Sequence, residues 1–323
     1  MNQASRRARR RPTPCSAGRA TKSAAARTPN SKPTSPRIWS ALPEQPRVSV
    51  VVVSYNTRAD LRRCLDHLER SREPVEIIVV DNASRDGSAA EARRHGVRLF
   101  PSPVNQGFAA ANNLGARRAR GRLLLLLNPD AFVEPDSIGR LADLLDSRPD
   151  LAGTAPRLVG LDGQTQRTCR RLPTVRDALC ELTGLSRIFP GSAFFNRWKM
   201  GGFDHDETRE VEQVFASCWL LRRADFLRLG GFDTRFPIFF NDVDLARRLG
   251  EAVGPTLYEP SIAVTHIGGS SVRRVRARSV LNSHRAFYRY LAKYGRSFAP
   301  LRWLTGLLLA LTAPLRVLAA DLS

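Results

Sequence analysis

The feature that most constrains this chain is the run VSVVVVS from Val48 to Ser54. A nearly continuous β-branched run of this kind suits a strand buried on both faces, as found in parallel sheets covered by helices. A helical pattern follows through Leu61, Cys64, Leu65 and Leu68, and then a second apolar run over residues 75–80. Strand, helix and strand make a β-α-β unit, so the chain belongs to the α/β class. The turn cluster DNASRDGS (81–88) comes directly after the second strand, and residues 88–95 supply a helix before a short strand at 97–100.

Asn105, Gly107, Asn112, Asn113 and Gly115 open a segment whose alanines and arginines, from 108 to 120, fit a helix lying on the sheet. Leu123–Leu127 reads as another buried strand and ends at Asn128-Pro129-Asp130; five leucines are too few to span a membrane. An amphipathic helix is expected over 137–147, a turn-rich stretch over 148–171 and weak helix over 174–197. The apolar stretch VEQVFASCWLLR (211–222) carries small residues at Ala216, Ser217 and Cys218 that permit close approach of a ligand or backbone. A short helix over 224–229 ends at Gly230-Gly231, and Asp242 begins a further helix through Leu249.

Charge is unevenly distributed. Of 51 Lys+Arg against 30 Asp+Glu, 11 basic residues and one acid fall within residues 1–47, so about half of the net +21 sits in a leader expected to be disordered (1–46). Five cysteines, odd in number and without a CxxC pair, argue against a disulfide framework or a cysteine zinc site and for a reducing cytoplasm. No nucleic-acid module accompanies the basic leader, so nucleic acid is not an expected partner. Residues 271–323 form a helical extension that is both basic (Arg273, Arg274, Arg276, Arg278) and apolar (Trp303 to Leu315, with Tyr288 and Tyr290 before it). That mixture suits peripheral contact with the inner face of a plasma membrane, the alternative being a core helix.

Acidic or amide clusters stand at four element boundaries: 81–82, 128–130, 204–206 and 241–244. Asp130 emerges at the C-terminal end of a strand, where open α/β sheets hold ligands, and a carboxylate there suits a hard divalent cation bridging diphosphate oxygens. There is no P-loop, no GxGxxG after the first strand and no GxSxG elbow.

The segments VSVVVVSYN (48–56), VVDNASRDGS (79–88), NQGFAAANNLG (105–115), LLLLLNPDAFV (123–133), GGFDTRFPIFFNDVDLARRL (230–249) and VTHIGGSS (264–271), in this order and spacing, resemble glycosyltransferase family 2, particularly its rhamnosyltransferase-like branch. The resemblance implies a GT-A fold, an open, mixed, mainly parallel sheet flanked by helices, over residues 47–270. It also implies a nucleoside-diphosphate sugar donor, a divalent cation (Mn2+ or Mg2+), transfer with inversion, and a glycan or lipid-linked acceptor. Carried over by position, Ser54, Tyr55 and Asn56 line the nucleotide, Asp81 binds the base, and Gly107 and Asn113 line the donor pocket. Asn128 and Asp130 occupy the metal-binding DxD place, Asp242 is the catalytic base, and His266 joins the metal shell. The helix N-terminus would keep Asp242 ionised. Two departures stand out: Asn241 replaces an acid beside the base, and Ala216 replaces a glycine on the acceptor side. A fold that kept nucleotide-sugar binding and lost turnover is the alternative reading.

Overall fold

The computed structural model describes residues 46–268 and 276–294, together with 306, 307, 309, 310 and 312. Apart from its last residue, the expected leader lies outside the described residues, as do Arg273, Arg274 and Trp303.

The expected β-α-β start is present: β1 (Val48–Ser54), α1 (Arg58–Leu68) and β2 (Val75–Asp81), then α2 (Ser88–Arg94), β3 (Arg98–Pro101), α3 (Gly107–Arg118) and β4 (Leu123–Leu127). Strands β3-β2-β1-β4 lie side by side and parallel, and every residue of β1, β2 and β4 is buried. This explains why their sequences are apolar without alternation. Beyond them come β5 (Ala131–Val133), α4 (Ser137–Ser147), β6 (Gly153–Val159), α5 (Val175–Leu182), α6 (Leu185–Ile188), β7 (Arg209–Val211), β8 (Cys218–Arg222), α7 (Arg223–Arg228), α8 (Asn241–Ala252), β9 (Thr256–His266) and α9 (Arg276–Tyr294). The sheet continues as β4-β8-β6-β9-β5, with β7 also on β9. Strand β8 runs antiparallel to β4, and β6 runs parallel to β9, so the open sheet is mixed.

Sequence reading missed this second half. The stretch expected to be turn-rich contains β6, the apolar run from Val211 divides between the end of β7 and β8, and β9 was not anticipated. The reason lies in Pro156 and Glu259-Pro260: the β6/β9 register jumps from Pro156↔Glu259 to Arg157↔Ala263, an irregularity that breaks the apolar pattern.

Each face of the sheet carries its own core. Val48, Val50 and Val52 pack toward Leu61 and Leu65 of α1 and Leu141 of α4. Val51 and Val53 pack toward Ala109 and Ala116 of α3, Phe226 of α7 and Leu245 of α8. Helix α3 approaches so closely that a Cβ on Gly115 would lie 2.4 Å from Val51 Cγ1, so any larger residue would force Val51 or the helix to shift.

A third cluster joins α5 (Val175, Ala178), the turn before α8 (Phe236, Phe240), Val243, α9 (Ala286, Phe287, Tyr290, Leu291) and Leu309. Tyr290, expected to face a bilayer, is 1% exposed: α9 turns its aromatic stripe to the domain. Its end is locked by Asp244, fully buried, which accepts from Lys293 Nζ (2.5 Å) and Tyr294 OH (2.7 Å) and pairs with Arg248 (2.7 Å). A buried carboxylate requires such partners. Among the described residues no helix is long and apolar enough to cross a membrane.

Candidate active site

The site lies at the C-terminal ends of the parallel strands, where β1 and β2 turn away and β4 stops. Two turns are stitched together there. Asn56, at positive φ, donates its backbone N–H to Ser84 Oγ (2.9 Å) and accepts from Arg85 N–H on Oδ1 (2.8 Å). Ser54 is fully buried and shares a hydrogen bond with Thr57, while Tyr55 stands 44% exposed at the rim. Asp81, at the end of β2, accepts from Ser84 N–H on Oδ2 (3.2 Å); its Oδ1 is buried with no hydrogen-bond partner. A buried oxygen of this kind costs stability unless a ligand donates to it.

The loop before α3 closes on the same turn. Asn82 Nδ2 donates to Asn105 Oδ1 (2.8 Å) and to Gly107 O (3.3 Å). Gly107 sits at φ +83°, and a Cβ there would press on Pro237. Asn113 is bound to backbone on both sides of its amide: its Nδ2 donates to Phe232 O and its Oδ1 accepts from Phe232 N–H, both at 2.8 Å. Its amide therefore fixes the Gly231-Phe232 backbone, and a Cβ on Gly231 would strike Asn113 Oδ1 at 2.4 Å.

At the end of β4, Asn128 donates from Nδ2 to Ser217 Oγ (3.1 Å) and from its backbone to Ser217 O (2.9 Å). Asp130, 5% exposed, faces His266 at the end of β9, with Nε2 to Oδ1 at 3.5 Å. The tautomer follows from Gln166. Its Nε2 donates to His266 O (2.7 Å), which leaves Oε1 as the atom 2.7 Å from His266 Nδ1. Nδ1 therefore donates to Gln166, and Nε2, buried and without a hydrogen-bond partner, is turned to the Asp130 side. A carboxylate oxygen and an imidazole nitrogen side by side, the ring held by an outer partner, fit a divalent cation.

Asp242 lies in the first turn of α8, which follows Phe240 at φ 64°. Its Oδ1 accepts from Val243 N–H (2.9 Å) and its Oδ2 from Gln213 Nε2 (3.3 Å). The helix terminus does not set the balance for this carboxyl, which stays ionised at neutral pH but with a raised value. Desolvation outweighs the backbone hydrogen bonds and the nearby Arg170 guanidinium, and pushes the carboxyl up to about 6. Asn241, in place of an acid, caps the preceding turn by donating to Ile238 O (2.8 Å). The loop from Gln213 to Ser217 thus touches Asn128 at one end and Asp242 at the other, linking the end of β4 to the start of α8.

Sequence reading missed Gln166, Gln213 and Arg170. All three lie in or beside irregular segments, where a lone glutamine or arginine carries no periodic signal; Arg170 and Gln213 meet through an isolated bridge between distant loops. The 204–206 cluster does not join the site. His205 is fully buried, accepts from Cys169 N–H and is pushed down to about 4 by burial, so it is a neutral core residue. Cys64, Cys169, Cys180 and Cys218 are buried free thiols. A hollow of about 710 Å³ beside α1, lined by Arg58, Arg62, Asp86 and Glu91, shares Asn56 with the site and none of its three carboxylates.

The Glycosyl transferase family 2 profile matches residues 49–228, which end at α7. The chain belongs to this family. It is 32% identical over 285 residues to the N-acetylglucosaminyl-diphospho-decaprenol L-rhamnosyltransferase of Mycobacterium tuberculosis (strain ATCC 25618 / H37Rv), covering 83% of this chain and 92% of the relative. It is also 32% identical over 221 residues to the O-antigen biosynthesis protein RfbC of Myxococcus xanthus, covering 63% of this chain and 16% of that protein. Among solved structures, the mannosyltransferase PcManGT from Pyrobaculum calidifontis, in complex with GDP-Man and Mn2+, superposes with a TM-score of 0.55 at 19% identity, covering 86% of this chain and 73% of that one. GalNAc-T7 with UDP, GalNAc and Mn2+ gives 0.55 at 16% identity, covering 77% and 48%. The fold is GT-A and the protein is a family 2 glycosyltransferase.

Proposed function

We propose that this glycosyltransferase moves rhamnose from a nucleoside diphosphate to a hydroxyl of a lipid-linked glycan, inverting the anomeric centre and using Mn2+ or Mg2+. The sugar and acceptor are carried over from the mycobacterial relative; the chemistry is argued from the site. The observation that carries it is Asp242: a carboxyl at about 6, beside Arg170 and Gln213, is ionised at neutral pH yet basic enough to accept a hydroxyl proton during attack.

In this reading the unpartnered Oδ1 of Asp81 accepts the N–H of a pyrimidine base, and Ser54, Tyr55, Asn56 and Gly107 line the nucleotide. Asn113 shapes the pocket through the backbone of Phe232. Asp130 Oδ1 and His266 Nε2 would hold the cation, Gln166 would orient the imidazole for it, and Asn128 is pinned alongside by Ser217. When bound, the cation offsets negative charge growing on the departing diphosphate. Asp242 takes the acceptor proton, and the adjacent Arg170 steadies the carboxylate before transfer. The acceptor would be met at the cytoplasmic face of the membrane.

The test is a transfer assay with dTDP-rhamnose, UDP-sugars and GDP-sugars, each with polyprenyl-diphospho-N-acetylglucosamine and either Mn2+ or Mg2+. A rhamnosylated lipid from dTDP-rhamnose alone, its anomeric configuration opposite to the donor's, is expected. Nucleotide-sugar binding without transfer from any donor would replace this reading with that of a binding protein.

A further inference from the structure

The segment between Arg170 and Gly201 leads from the candidate base to an unusual stretch of surface. Ile188 is 65% exposed, Phe189 46% and Phe194 56%, three large apolar side chains within seven residues. Scattered exposed hydrophobics are ordinary, but a contiguous group needs a reason. The turn holding them is built. Phe189 N–H donates to Leu185 O (3.0 Å), Ser192 Oγ accepts from the N–H groups of Phe194 (3.2 Å) and Phe195 (3.1 Å), and Asn196 Nδ2 donates to Pro190 O (2.7 Å). Phe195 stacks on Phe189 and meets Phe194 edge-on, with ring centroids 5.0 and 5.1 Å apart. The apolar tip is thus presented outward by a locked turn.

The charge around it is one-sided. From 170 to 201 the chain has six Lys or Arg and two acids. Both acids are neutralised from within the segment, Asp177 by Arg197 (3.0 Å) and Glu181 by Lys199 (2.7 Å). Arg171, Arg176 and Arg187 are exposed, and the Arg176 guanidinium lies 4.6 Å from the ring centre of Phe194. Pairing this surface with a second copy of itself would bring like charges together, whereas anionic lipid headgroups complement it.

The patch is also coupled to the site. Trp198 packs on Phe240 (5.9 Å) and Phe287 (5.2 Å), and Val175 and Ala178 share a core with Phe240 and Val243, which bracket the Asp242 turn. We infer that the turn carrying Ile188, Phe189 and Phe194 inserts into an anionic bilayer surface, with Arg171, Arg176 and Arg187 on the headgroups, and so holds the Asp242 side of the site toward lipid-borne acceptors. Its purpose rests on the proposed lipid-linked acceptor; the surface itself does not.

The test is flotation of the full-length protein with vesicles of phosphatidylcholine alone or mixed with phosphatidylglycerol, without donor or acceptor. The wild type is expected to float with the anionic vesicles. The triple variant Ile188→Ser, Phe189→Ser, Phe194→Ser should partition at least about 10-fold less, each side chain losing only part of its apolar burial. The double variant Arg176→Gln, Arg187→Gln should reduce the preference for phosphatidylglycerol. Unchanged melting temperature and nucleotide binding would show that the variants fold. Undiminished flotation of the triple variant, no flotation of the wild type, or a wild-type dimer that the triple variant abolishes would each overturn the inference. Failure of the transfer assay alone would leave it standing.

Discussion

Asp242→Asn should make the protein more stable at neutral pH while removing its activity. The folded carboxyl takes its proton at about 6 against an ordinary value of 3.8, so between these values the native state holds more protons than the unfolded chain. Stability attributable to this group is therefore full below about pH 4, falls as pH rises through about 6, and stays low above it. The displacement corresponds to an upper bound of roughly 3 kcal/mol, and because Asp242 keeps partial contact with solvent, about 1–2 kcal/mol is the better expectation. An asparagine carries no charge and escapes this cost. Its amide can still accept from Val243 N–H, and Gln213 Oε1, buried without a partner, is available to a new N–H donor. For a domain of this size, thermal melts at pH 8 should show the variant higher by several degrees, at about 2–4 °C per kcal/mol, with the gap closing by pH 4. Transfer should fall at least about 10²-fold, and the wild-type kcat/KM should rise with pH through about 6 to a plateau. A melting difference independent of pH, or near-wild-type turnover at saturating acceptor, would refute the argument from desolvation.

Asp81→Ala should weaken nucleoside diphosphate binding equally with and without Mn2+, because it removes a base acceptor remote from the cation; titration calorimetry in both conditions checks this. Asp130→Ala should abolish the metal-dependent part of that binding, and unchanged affinity in the presence of Mn2+ would mean that other groups hold the ion. Gln166→Leu frees His266 to place its proton on Nε2, so Mn2+ affinity in the presence of nucleotide should fall about 10- to 100-fold while metal-free nucleotide binding is unchanged. Ending the chain at 271 should lower the melting temperature as well as alter any lipid binding, since it strips Phe287, Tyr290 and Leu291 from a core shared with Phe236 and Phe240.

The half of the fold that was legible in the sequence is the half whose strands are buried on both faces. β1 and β4 announce themselves by near-continuous apolar runs, broken in β1 only by Ser49 and the terminal Ser54. β6 and β9 share the same sheet, but their contact is interrupted where Pro156 meets Glu259, and β9 carries Glu259 and an exposed Ser261 among its apolar residues. A pattern rule cannot find a strand whose irregularity is resolved only by a distant partner. The same limit separates the carboxylates from their helpers. Asp81, Asp130 and Asp242 stand at element ends, which sequence periodicity locates. Gln166 and Gln213 act across 100 and 29 residues of chain respectively, which it does not.

The sign of the Asp242 shift shows why assembly matters for chemistry as well as for position. Taken alone, a carboxylate in a first helical turn is stabilised in its charged form. In the folded protein that effect competes with burial of the carboxyl, and desolvation prevails even with Arg170 and Gln213 beside it. Other polar atoms of the site are unsatisfied as well: Asp81 Oδ1 at the end of β2, Gln213 Oε1 in a loop and His266 Nε2 at the end of β9 are buried without hydrogen-bond partners. A protein interior normally pairs such atoms, since each unmade hydrogen bond costs about 1–3 kcal/mol. Their chemistry differs in a way that matches the reaction: two oxygens that accept N–H or O–H donors and one nitrogen that donates a lone pair. A nucleotide base and a cation would satisfy Asp81 and His266, while Gln213 contacts the carboxyl proposed as the base. The stability forgone at these atoms is therefore regained on binding donor and cation, and thermal stabilisation should need both ligands together to reach its full extent.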